Sequence, residues 1–158
     1  MIVLLVLEDL RQTFETVENR VRPMGKKDGV KVHIRQLKSW RDFENELNDY
    51  EGKDDPVMLC CDMVEASEEE TRGLRDHLKT LWQATDDTWR GERPLIIYSR
   101  DDDLFDQISK VERKRRRGNS AVISQVASPG VDPIAALKDA LRNAWSACRA
   151  QPGAQSSA

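Results

Sequence analysis

The chain contains nothing approaching the roughly 20 consecutive apolar residues of a membrane span. Its apolar start, Ile2–Leu7, gives way at once to Glu8 and Asp9. It also lacks the basic start, the longer apolar region and the small-residue cleavage site of a signal peptide. Cysteines are few: three, an odd number, with Cys60 and Cys61 adjacent. That count makes no disulfide framework and fits the reduced thiols of a cytoplasmic protein. No glycine-rich phosphate cradle follows the first apolar run, neither a P-loop nor Gly-x-Gly-x-x-Gly, which argues against an NTPase or a dinucleotide enzyme. Net charge is only -3, so nothing pulls the whole molecule toward nucleic acid or anionic lipid. No internal repeat is present.

What is there suits one domain. With 158 residues, 39% hydrophobic and 34% charged, a single core under a charged surface is affordable. Five short apolar runs recur, at Ile2–Leu7, Val30–Leu37, Pro56–Cys61, Pro94–Tyr98 and Ala121–Val126. Four are nearly continuous, as in strands covered on both faces. Val30–Leu37 alternates instead, as a half-exposed edge strand does. Helical stripes lie between and after them. Leu10, Phe14, Val17 and Val21 share a face, and Pro23 and Gly25 are expected to stop that helix. Trp40, Phe43, Leu47 and Tyr50 form the second stripe, with Ser39 and Asp42 placed as a cap. Ser67 and Glu70 read as a capping box before Leu74, Leu78, Leu81 and Trp82. Leu104, Phe105, Ile108 and Val111 make the fourth stripe. Asp132-Pro133 opens the fifth, with Ile134, Leu137, Leu141, Ala144, Trp145 and Cys148.

Strands alternating with helices run parallel, because each crossover returns right-handedly to the sheet. The expected fold is therefore α/β, a doubly wound five-stranded parallel sheet over residues 1–150. The tail 151–158 has a disordered composition. Ligands of such sheets bind beyond the carboxyl ends of the strands. Those ends carry Glu8 and Asp9, then Asp62, then Ser99, then Ser124 and Gln125. Converging carboxylates repel unless a cation sits among them, and Mg²⁺ suits a few carboxylate oxygens plus water. A carboxylate beside that ion can take a phosphoryl group. The plainer reading of each acid alone is a helix-start cap favoured by the macrodipole.

Glu8-Asp9, Asp62 and Ser99 at successive strand ends, with Gly118-Asn119-Ser120 before the fifth strand, together resemble the receiver domain of two-component response regulators. The resemblance covers roughly residues 1–150 and implies the (βα)5, flavodoxin-like topology. It implies Asp62 as phosphoacceptor, Glu8, Asp9 and Asp62 as Mg²⁺ ligands with the Val64 backbone carbonyl, and Ser99 as the phosphoryl contact and switch. It implies a histidine-kinase-type donor or a downstream effector as protein partner. Four departures point to an atypical or pseudo-receiver, the first being Met63-Val64-Glu65-Ala66 where the family has Met-Pro and Asp-Gly after the phosphoacceptor. Gln125 stands where the family has lysine, and an amide cannot supply that positive charge. The switch aromatic is replaced by Ala121 or Val122. The chain from Asp62 to Ser99 is also longer than in the family, the extra length falling around Thr85–Glu92.

The function expected is a stand-alone receiver-like signalling domain acting through protein contacts, at most a phosphoacceptor rather than an enzyme. One alternative is a phosphorylation-independent adaptor of the same fold. Another is a small metal-dependent hydrolase or phosphatase, disfavoured because no general base or oxyanion donor stands out. The basic run Lys110–Arg117 is a candidate docking surface for an acidic protein. It can equally be a solvated helix end, and without interleaved aromatics it gives little support to nucleic-acid binding. A homodimer is left open. Cys60 and Cys61 read as inert packing. His33 and His77 show no ligand spacing. Trp89, alone in a polar segment, is a candidate partner contact or a residue folded back on the domain.

Overall fold

A computed structural model describes residues 1–50, 55–62, 94–99, 106, 109–110, 120–124 and 132–151. Within them the chain forms β1 (Ile2–Leu7), α1 (Arg11–Asp28), β2 (Val32–Leu37), α2 (Trp40–Asp49), β3 (Val57–Asp62), β4 (Leu95–Ser99), β5 (Ser120–Ser124) and α3 (Pro133–Arg149). The strands make one sheet in the order β2-β1-β3-β4-β5, with every neighbouring pair parallel. The α/β class and the parallel sheet are as the sequence predicts. The stripes expected at 67–82 and 104–111, Trp89 and His77 lie outside the described residues, apart from Asp106, Ser109 and Lys110. Among the described residues no helix is long and apolar enough to cross a membrane.

Alternation along the strands sorts the core into two layers. Ile2, Leu4, Val6, Met58, Cys60, Ile96 and Tyr98 face α1 and α3, meeting Phe14, Val17, Val21, Leu137, Leu141 and Trp145. Val3, Leu5, Leu7, Val57, Leu59, Cys61, Leu95 and Ile97 face α2 and meet Trp40, Phe43 and Leu47. Helices therefore cover both faces, which is why β1 and β3 are apolar without alternation. β2 alternates in burial, as a strand at the edge should.

The helix ends show which local signals prevail. Ser39 accepts a hydrogen bond from the Asp42 amide at 3.1 Å, and Asp132 accepts from the Ile134 amide at 3.0 Å, the caps the sequence predicts. At α1 the sequence expectation fails: the helix runs straight through Pro23 and Gly25 and ends at Gly29, whose φ of 66° is left-handed. An interior proline costs about 3 kcal/mol, but the last turn is held by tertiary contacts. Gly25 is buried so tightly that an added Cβ would lie 2.5 Å from Val32 Cγ2 and 2.9 Å from the Val30 carbonyl oxygen. The Trp145 indole N–H also donates to Asp28 at 2.6 Å, tying the end of α1 to α3. Leu10 and Ile134, assigned to core stripes by spacing, are 41% and 54% exposed. Each stands at the mouth of its helix, beyond the reach of the layer below.

Candidate functional site at the carboxyl rim

Three parallel strands bring the acidic residues together. Leu7 pairs with Cys61, so Glu8 continues one step past β1 opposite Asp62, and Asp62 pairs with Tyr98. By alternation Glu8, Asp62 and Tyr98 all emerge on the α1/α3 side of the sheet. They stand in a line across β1, β3 and β4. Glu8 has no accessible surface and Asp62 is 4% exposed, whereas Asp9 points to solvent. The sheet therefore buries two of the three predicted acids and leaves the third outside.

Glu8 is held at both ends. Its backbone amide donates to the Leu37 carbonyl at 3.0 Å, and the Gln36 side-chain amide donates to the Glu8 carbonyl at 3.0 Å. Oε1 of its carboxylate accepts from the Leu10 backbone amide at 3.0 Å, at the positive N-terminal end of α1. Oε2 accepts from the Tyr98 hydroxyl at 2.7 Å. Such charge-assisted bonds are what a buried carboxylate needs.

Tyr98 was not among the residues the sequence singled out. Yet a polar-tipped ring in an otherwise aliphatic buried strand, Leu-Ile-Ile-Tyr, requires a hydrogen-bond partner, and that was the available signal. Burial first, then the nearby Cys60, Glu8 and Asp62, push its hydroxyl well above the usual tyrosine range. Burial thus favours the protonated hydroxyl, the form that donates to Glu8.

Cys60, beneath the rim, is pushed up by burial and then by Glu8 and Asp62; Cys61 is pushed up by burial, Cys60 and Asp62. Both thiols stay protonated and inaccessible, as their reading as packing residues requires. Ser99 is the last residue of β4, while Val64 and Gln125 lie outside the described residues.

No family model, curated protein or solved structure matches the chain. What the rim can do therefore rests on its own chemistry. Among the described residues no group of three potential ligands is assembled for a metal ion. Mg²⁺ retains several of its waters when it binds protein. A carboxylate with no accessible surface, and with a hydrogen bond on each oxygen, does not fit such an ion as it stands.

Elsewhere, a polar groove of about 390 Å³ lies between β2 and α2, lined by Arg35, Lys38, Asp42, Glu46 and Asp49 among others. Arg35 and Glu46 pair across it at 2.7 Å, and its mixed charges select no ligand class.

Proposed function

We propose that this chain is a receiver-like signalling domain that acts by contact with other proteins and without phosphorylation of Asp62. The strand order β2-β1-β3-β4-β5, with α1 and α3 on one face and α2 on the other, suits the doubly wound architecture in which such a rim works. The (βα)5 topology, with helices after β3 and β4, belongs to this proposal. The observation that carries the reading is the burial of Asp62 beside a fully buried Glu8. Phosphoryl transfer needs an in-line approach to the acceptor oxygen and cations to neutralise the transferred group. A carboxylate 4% exposed offers little approach. Gln125, in place of the family's lysine, brings no positive charge.

A second reading keeps the Mg²⁺-dependent phosphoacceptor. The alignment of Glu8, Asp62 and the end of β4 at one rim favours it, with Ser99 as switch. It requires the Tyr98–Glu8 bond to open first. Partner capture through Lys110–Arg117 is common to both readings, and so is a cytoplasmic location.

Intact mass after incubation with acetyl phosphate and Mg²⁺, beside Asp62→Ala, separates them. The proposal expects no added mass on the folded chain. One phosphoryl mass on the wild type, absent from Asp62→Ala, sinks it in favour of the second reading.

A further inference from the structure

The hydrogen bond from Tyr98 to Glu8 spans two strand intervals. Neighbouring strands lie about 4.8 Å apart, so β1 and β4, with β3 between them, are separated by about 10 Å. Two long side chains must reach toward each other to close that gap. Asp62 pairs with Tyr98 and shares its face of the sheet, so the bridge crosses the end of β3 at the level of Asp62. This is the space between the acid on β1 and the acid on β3, where a cation serving both would have to sit. Tyr98 and Glu8 have no accessible surface, so the bridge is closed to water at both ends.

From this we infer that the Tyr98 hydroxyl takes the place of a divalent cation at the acidic rim and makes the domain independent of metal. The inference deepens the phosphorylation-independent reading and rests on it for the meaning of the rim. Two buried carboxylates on adjacent strands repel, and a cation is one remedy. A neutral donor is another: it lowers the cost of burying Glu8 by a short charge-assisted bond, without ligands or waters. The Leu10 amide supplies the second donor and fixes the mouth of α1 to the same carboxylate. The donor is held by geometry, 2.7 Å from Glu8 and shut off from water. The rim is thereby set in one arrangement, linking β1, β4 and the start of α1, whatever the concentration of Mg²⁺.

The test is a titration of the full chain with Mg²⁺, followed by calorimetric heat and by the unfolding temperature, for the wild type and Tyr98→Phe. The wild type should give no saturable heat and no upward shift in unfolding temperature up to about 10 mM Mg²⁺. Tyr98→Phe keeps the ring and removes the donor. It should gain saturable binding, at least about tenfold tighter than any wild-type response, and recover part of its lost stability with Mg²⁺. Saturable binding to the wild type that Glu8→Gln abolishes would overturn the inference. So would a folded Tyr98→Phe that stays indifferent to Mg²⁺, since the hydroxyl would then not be what holds the cation off. Should Tyr98→Phe fail to fold, the phenolic proton of the wild type decides by nuclear magnetic resonance. A slowly exchanging resonance unchanged by Mg²⁺ supports the inference, and its loss or shift on saturation refutes it. No phosphoryl donor is present in these experiments. A failure here is therefore distinct from failure of the functional reading, which falls only if Asp62 gains a phosphoryl group.

Discussion

Removing one oxygen atom, in Tyr98→Phe, tests the energetics of the rim. The ring and its burial stay, and the Leu10 amide still serves Oε1 of Glu8. What is lost is a 2.7 Å hydroxyl bond to a carboxylate with no accessible surface. Bonds to charged groups contribute about 1.5–3 kcal/mol, and a buried acceptor left short of a donor sits toward the upper part of that range. A loss of about 2 kcal/mol is expected. Unfolding entropy scales at about 2.1 cal/mol/K per residue, or roughly 0.3 kcal/mol/K for this length, so the midpoint should fall by about 6 °C. Urea unfolding of wild type and variant, with equal slopes, measures the same quantity independently. A loss below about 0.5 kcal/mol at unchanged slope would refute the reasoning, because so small an effect is that of a bond exposed to water.

Other outcomes follow from the packing and from the thiols. Gly25→Ala should destabilise by about 1–3 kcal/mol, measured by urea unfolding, because its Cβ would meet Val32 and the Val30 carbonyl. A gain in stability would mean that helix propensity, about 1 kcal/mol in favour of alanine, outweighs the clash. Asp132→Ala should cost about 1 kcal/mol through loss of the α3 cap, and Asp132→Asn much less; equal losses would rule out capping. The buried Cys60, Cys61 and Cys148 thiols are all raised by burial, Cys148 to about 12. Their contribution is whole below the unfolded thiol value and is lost as pH rises toward the folded one. Under reducing conditions stability should decline above about pH 9, by about 1.4 kcal/mol per pH unit for each thiol. A flat profile from pH 8 to 10 would show that the thiols ionise alike in both states.

Strand positions were legible in the sequence because burial on both faces demands continuous apolar runs. Ile2–Leu7 matches its run end to end, and the other four begin or end within two residues of theirs. The edge role of β2 was legible in Val-His-Ile-Arg-Gln-Leu, whose alternation needs one covered face. The end of α1 was not. Local rules read Pro23 and Gly25 as a stop, but the contacts that hold the last turn come from Val30, Val32 and Trp145, distant or not yet placed in a local window. The rim was half legible. Spacing placed Glu8 and Asp62 at strand ends, but not the depth at which the sheet buries them, nor the exposure of Asp9. Tyr98 read as the last apolar residue of β4, because the partner of its hydroxyl lies two strands away and 90 residues earlier.

The closed rim is tested most directly by offering the folded wild type a phosphoryl mimic, beryllofluoride with Mg²⁺, and recording fluorine resonances. A receiver whose rim accepts a cation and a phosphoryl group holds this mimic on its aspartate in slow exchange. The present account predicts free fluoride species only, with the Tyr98–Glu8 bond intact. A bound resonance that disappears in Asp62→Ala would contradict it, and would mean that Tyr98 yields the rim to a metal and a phosphoryl group.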